Sequence, residues 1–147
     1  MTRGFLLVLA LVAACTEKSR TTDTWSRTLP TARARGAFLC SYQLCPTPPV
    51  DAAFRVLYQD NSTGLLPAPS DGSTFAVVKI SPDDAERWAR GCWPATLDVR
   101  PDWVPELLAD RPEWTPKSVP DMYRCPFGQE RVIYVKEGVV FWQVIRN

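Results

Sequence analysis

"RVIYVKEGVVFWQVI", residues 131–145, decides how the fold of this 147-residue chain is read. Two runs rich in β-branched and aromatic residues, Arg131 to Lys136 and Val139 to Ile145, flank Glu137-Gly138. Glycine between two such runs is a hairpin signal, because it enters a left-handed turn without a side-chain clash. Side chains alternate along a strand. Val140, Trp142 and Val144 therefore share one face, and Val139, Phe141 and Ile145 the other, with Gln143 among them. A strand apolar on both faces needs cover on both sides, which predicts a central position in a sheet.

Upstream, "TFAVVKI" (74–80) is a second near-continuous β-branched run and a second central strand by the same reasoning. "AFRVLYQ" (53–59) alternates instead, with Phe54, Val56 and Tyr58 on one side, as a half-buried strand does. Between these strands and the hairpin lies "SPDDAERWARGCW" (81–93). Ser81 is placed to cap a helix, Pro82 suits its first position, and Asp83 and Asp84 suit its positive end. Ala85, Trp88 and Ala89 fall on one helical face, and Gly91 is a natural stop. A helix over Pro82 to Arg90 is predicted, with Trp88 pinned to the sheet. Residues 37–50 mix apolar residues with Pro46, Pro48 and Pro49 and read as a strand or short turn followed by an extended path.

Residues 93–128 differ in character. Seven of the fourteen prolines lie between Pro94 and Pro126, interleaved with Trp93, Trp103, Trp114 and Tyr123. A brief helix near Pro105 to Ala109 and otherwise ordered loop are expected. The fold class that follows is α+β: an antiparallel sheet of four to five strands, one main helix, and a long Pro/Trp-rich loop segment.

The N-terminus carries a different message. Arg3 precedes a ten-residue apolar run, Phe5 to Ala14, closed by Ala13 and Ala14. A membrane-spanning helix needs about 20 apolar residues, so the run has the form of a secretory signal. Val12-Ala13-Ala14-Cys15 resembles the lipobox of bacterial lipoproteins. The resemblance covers only the first 15 residues, and the rest of the chain resembles no characterised family. It implies cleavage before Cys15, diacylation of its sulfur, and acylation of the new amine. Thr16, where an aspartate often signals retention at the inner membrane, leans toward the outer membrane. The expected organisation is a signal peptide at 1–14, a lipidated Cys15 with a flexible tether at 15–28, and a single globular domain at 29–147. A location in the cell envelope follows, as an outer-membrane lipoprotein facing the periplasm or the cell surface.

Setting Cys15 aside for lipid leaves Cys40, Cys45, Cys92 and Cys125. An even number in an exported chain reads as two disulfides, in one of three pairings. Cys40–Cys45 and Cys92–Cys125 are the pairing expected. No Cys-x-x-Cys pair is present, which counts against a zinc site or a thioredoxin-like centre.

Composition narrows function further. The chain has 17 basic and 16 acidic residues, and loss of Arg3 with the leader balances them. Near-neutrality without a basic run argues against a nucleic-acid partner. There is no histidine. Ser-His-Asp and Cys-His systems and histidine zinc sites are thereby excluded. Lys117-Ser118 and Lys79 with Ser81 have the residue types of a Ser-Lys dyad but sit in no motif. Asp83-Asp84 reads as helix-start chemistry, and "DNSTG" (60–64) as a turn rather than a calcium loop. No catalytic residue, cofactor or metal ligand is assigned. The candidate binding surface is Trp103, Trp114 and Tyr123, set against the alternative that these rings fill a satellite core. The expected function is non-enzymatic: binding of a protein or envelope component, with an inhibitor or immunity protein as the concrete version. A carbohydrate- or peptidoglycan-binding module and a structural accessory subunit of an envelope complex are the alternatives.

Overall fold

The computed structural model describes residues 20–61, 70–96, 101–126 and 128–146. Val12 to Cys15, the signal segment and residues 15–19 of the expected tether lie outside the described residues. Seven strands form one antiparallel sheet: β1 (Arg20–Trp25), β2 (Asp51–Asp60), β3 (Asp71–Lys79), β4 (Trp93–Ala95), β5 (Asp121–Cys125), β6 (Gln129–Tyr134) and β7 (Val139–Arg146). Their order across the sheet is β1-β2-β3-β7-β6-β5-β4. The helices are α1 (Ala32–Tyr42), α2 (Ala85–Ala89) and α3 (Val104–Leu107).

The predicted hairpin is β6 and β7, paired from Gln129↔Val144 to Tyr134↔Val139. Gly138 closes it at φ +60°, and a Cβ there would stand 2.5 Å from the Ile80 carbonyl oxygen. β7 lies between β3 and β6 and is buried on both faces, which its apolar pattern requires.

One face packs Phe54, Val56, Ala76, Val78, Trp142 and Val144 against Leu39 of α1 and Trp88 of α2. The other packs Ala53, Val77, Val132, Tyr134 and Phe141 against Val104, Leu107 and Leu108.

The fold class differs from the sequence expectation. The sheet has seven strands rather than four to five, and no main helix dominates it. The region expected as the main helix is a 3-10 turn, Pro82–Asp84, followed by the five-residue α2. Ser81 makes no side-chain cap; its carbonyl accepts from the Asp84 amide instead. The longest helix is α1, which begins where Thr31 Oγ1 accepts from the Ala34 amide at 3.1 Å. Gly36 sits inside α1, and a Cβ there would come within 3.0 Å of the Pro49 ring. Glycine lowers helix propensity but lets the proline segment lie against the helix, so packing overrides propensity. The Pro/Trp-rich segment holds its expected brief helix as α3, and β4 and β5 where loop was expected. β1 takes up part of the expected tether and pairs along its whole length with β2, so the domain begins by Arg20 rather than Leu29.

Both disulfides have the expected pairing, Cys40–Cys45 and Cys92–Cys125. Asp51, at the start of β2, joins the two faces. It accepts from Arg35 Nε and Nη2 at 2.7 and 2.8 Å, and from Arg111 Nη1 at 3.3 Å. Arg35 comes from α1 and Arg111 from the segment after α3, so one carboxylate ties a helix on each side of the sheet.

Candidate functional site

Trp103 and Trp114 both pack against the second core cluster. Trp103 Nε1 donates to Gln143 Oε1 at 3.0 Å, and its ring meets Phe75 and Phe141. Trp114 lies beneath the Arg111 guanidinium, 4.7 Å from ring centroid to Cζ. Tyr123 packs against the first cluster. The three rings therefore stand on opposite faces of the sheet and form no single platform. The backbone amides of Lys117 and Ser118 donate to the Glu137 carboxylate, and Lys79 Nζ donates to the Glu137 carbonyl. Asp84 pairs with Arg87. These candidates have structural partners. Among the described residues no group of three or more Cys, Asp and Glu is arranged to hold a metal, and no helix is long and apolar enough to cross a membrane.

A site that the sequence reading passed over forms around Arg131. Period-two alternation puts Arg131 and Ile133 on one face of β6, and Arg131 lies in register with Trp142 of β7. That face is covered by α2, whose Trp88 is fully buried and meets Trp142 edge-on at 5.4 Å. Trp88 is held in place by its Nε1, which donates to Thr47 Oγ1 at 2.9 Å. Arg131 is caught between the two indoles, its Cζ 5.6 Å from Trp88 and 5.1 Å from Trp142. Only 6 % of the residue is exposed.

The guanidinium donates through Nη1 to the Trp88 carbonyl at 2.5 Å and through Nη2 to Gln129 Oε1 at 3.1 Å. Among the described residues its Nε has no hydrogen-bond partner, and neither does the neighbouring Trp142 Nε1. No described carboxylate lies within ion-pair distance of Arg131. Burial alone lowers the Arg131 pKa to about 10. Removing a cation from water without an anion costs several kcal/mol. Two indole faces offset part of that cost, at about 0.5–2 kcal/mol each.

Arg131 lines a cleft of about 330 Å³ with Arg87, Arg90, Leu44 and Pro46. Arg87 and Arg90 flank Trp88 and bring two more cations. Arg90 is exposed and makes no ion pair among the described residues. Leu44 is 87 % exposed. Both disulfides brace the walls: Cys45 stands between Leu44 and Pro46, and Cys92 follows Arg90 by two residues and is tied to β5. The arrangement can hold an anion over a deep cation with an apolar wall beside it. A larger groove of about 630 Å³ between α1 and the Cys45–Val50 segment has a mainly apolar lining, with Arg33 its one charged group.

The sequence did hold a signal for this site. Arg131 is a charge on the same side of β6 as Ile133, with Gln129 two residues before it and Val132, Ile133 and Tyr134 after it. Arg87 and Arg90, by contrast, look like an ordinary solvated face.

Compared with protein-family models, with curated proteins and with solved structures, the chain has no match in any of the three. The functional reading therefore rests on this chain's own residues.

Proposed function

We propose that the chain is a lipid-anchored binding domain of the bacterial cell envelope, non-enzymatic, that holds a protein or envelope component through the Arg131 cleft. An inhibitor- or immunity-type role is the concrete version. One observation carries the binding part of this reading: a buried cation that lines an open cleft and has no carboxylate partner among the described residues. A group that costs the fold its desolvation, yet is retained beside a cleft, fits a role in recognition. The cleft is lined by cations and apolar residues, and the chain has no histidine to serve as its general base. The two disulfides suit an exported chain. The lipobox resemblance at Val12 to Cys15 supplies the anchor, and two or three acyl chains hold a domain at a membrane stably where one does not.

The test has two parts. Wild-type chain is expected to incorporate labelled palmitate and to fractionate with the outer membrane, and Cys15→Ser to lose both. A variant still processed and membrane-bound removes the anchor. Affinity capture from the native envelope is then compared between wild type and an Arg87→Ser/Arg90→Ser double variant. A partner kept equally by both removes the cleft as the binding surface.

A further inference from the structure

The Arg131 cleft has three features that specify its ligand more narrowly than "an anion". The first is the hydrogen-bond count. A guanidinium carries five N–H groups, and Arg131 uses two of them, on the Trp88 carbonyl and the Gln129 side chain. Among the described residues, Nε–H stands buried without an acceptor, and so does the indole N–H of Trp142 whose ring lies alongside. Buried donors without acceptors are unusual in a folded protein, and of these two groups Arg131 is the one that lines the cleft, where an acceptor entering from outside meets it.

The second is charge. α2 turns its carbonyl end toward the guanidinium through Trp88, so the site already contains one partial negative charge. Arg87 is engaged with Asp84. What remains is one deep cation, Arg131, with Arg90 a second at the rim. The Trp88 carbonyl beside Nη1 opposes a dianion more than a monoanion, which favours a carboxylate over a phosphate ester carrying about −1.5 to −2 at neutral pH. The third is the wall. Leu44 is almost wholly exposed and Pro46 lies beside it, within the cleft that Arg90 and Arg131 line. An exposed leucine held rigid by the Cys40–Cys45 bridge gives an aliphatic group somewhere to bind.

We propose that the cleft is a receptor for a carboxylate carried next to an aliphatic group, the chemistry of a peptide C-terminus ending in a residue such as leucine or valine. The carboxylate takes two parallel hydrogen bonds from Arg131, the geometry in which guanidinium–carboxylate pairs are strongest. Arg90 closes over it from the rim. The aliphatic side chain lies on Leu44 and Pro46. This deepens the binding reading and rests on it, but is independent of the lipid anchor.

Trp88 and Trp142 flank Arg131, so the intrinsic fluorescence of the full chain in detergent reports occupancy. N-acetyl-leucine is the probe, with N-acetyl-leucinamide and inorganic phosphate as comparison arms at matched ionic strength. The expected result is a saturable change with N-acetyl-leucine. The amide is expected to bind at least about 10-fold more weakly, and phosphate more weakly than the carboxylate. Arg90→Gln is expected to reduce affinity about 3- to 10-fold, and Arg131→Met to abolish the saturable change. Equal binding of acid and amide overturns the proposal, as does tighter binding of phosphate or no saturation by any probe. Should Arg131→Met fail to fold, unchanged affinity in Arg90→Gln, which alters only an exposed side chain, overturns it instead. A chain that binds N-acetyl-leucine while Cys15→Ser stays membrane-bound loses its anchor and keeps this site.

Discussion

Asp51 holds Arg35 with two hydrogen bonds and Arg111 with a third, whereas Arg131 has two neutral acceptors and no carboxylate among the described residues. All three guanidinium groups are largely buried. Around Asp51, charge is balanced within the chain. Burial raises the Asp51 pKa, but the hydrogen bond from Arg35, that from the Ala52 amide and the field of Arg111 outweigh it, so the pKa is lowered. Around Arg131, burial acts alone and lowers the cation's own pKa. The first cluster is a staple joining elements on the two faces. The second is open, and its missing charge is what makes it a candidate for recognition.

The largest expected effect separates covalent bracing from charge. Both disulfides stand at the Arg131 cleft. Removing Cys92–Cys125, with 33 residues of separation, is expected to cost about 4 kcal/mol by the chain-entropy relation. Removing Cys40–Cys45, with a separation of 5, is expected to cost about 2 kcal/mol. Urea unfolding of Cys92→Ser/Cys125→Ser and of Cys40→Ser/Cys45→Ser measures both. If the short bridge proves the costlier, denatured-state entropy is not what the bridges supply. Loss of the short bridge should nonetheless weaken N-acetyl-leucine binding, because it frees the Leu44 wall.

Next in size is the staple. Asp51→Asn leaves Arg35 buried without its paired carboxylate and Arg111 with only the exposed Asp110 at 3.8 Å, and about 3 kcal/mol is expected to be lost. Acid should act in the same direction. A carboxyl whose folded pKa is depressed contributes stability fully above its unfolded value, near pH 4, and loses it as pH falls through the folded value. Wild type should therefore destabilise on acidification below about pH 4 more steeply than Asp51→Asn. Parallel pH profiles would show that Asp51 is not the carboxylate that matters.

Arg131→Met should behave in the opposite way. Replacing an unpaired buried cation with an apolar side chain removes a desolvation cost, so stability at neutral pH should change by less than about 1 kcal/mol or rise. A loss above about 3 kcal/mol would mean that the cation is satisfied in the folded chain, and the contrast with Asp51 would fail. Alkali sharpens the test. Arg131 releases its proton at about pH 10 when folded, below its ordinary value. Above that pH the unfolded chain binds more protons, so this group's contribution to stability rises with pH. The difference between wild type and Arg131→Met should therefore move in favour of wild type above about pH 10.

Which of these features the sequence reveals follows from how each is encoded. β7 and β3 are legible because strands covered on both faces must be apolar throughout. The hairpin turn is legible because Gly138 needs positive φ. The edge of the sheet is not. β1, "RTTDTW", and β5, "DMYRC", are polar, as edge and near-edge strands are, and nothing in them alternates cleanly. α1 is hidden for another reason: Gly36 weakens its helical signature in order to admit Pro49. The disulfide pairing found is the one expected among the three that four cysteines allow. The Arg131 site needs three separate segments, 44–46, 87–90 and 131, that no sequence spacing connects. Trp103, Trp114 and Tyr123 look alike in sequence, yet the strand order sends them to different faces.

The smallest expected effect concerns a more exposed pair of the same forked geometry. Asp23 of β1 receives hydrogen bonds from Arg55 Nε and Nη2 at 3.1 and 3.0 Å, the same forked geometry that Asp51 makes with Arg35. The Asp23 pair is 33 % and 39 % exposed, while Asp51 and Arg35 are 16 % and 12 % exposed. The Arg55 hydrogen bond lowers the Asp23 pKa, as the partners of Asp51 lower that of Asp51. The forked geometry and the direction of shift are thus shared, while Asp51 is more buried and has two further donors, Arg111 and the Ala52 amide. Water screens the exposed pair and both side chains lose rotamer freedom to make it. Asp23→Asn is therefore expected to cost only about 0.5 kcal/mol, with a further decrease in 1 M salt, while the Asp51→Asn cost should hardly change with salt. Equal costs for the two substitutions would mean that guanidinium–carboxylate geometry, rather than burial, sets the energy of these clusters. The unpaired state of Arg131 would then be no stronger a reason for recognition than that of any surface arginine.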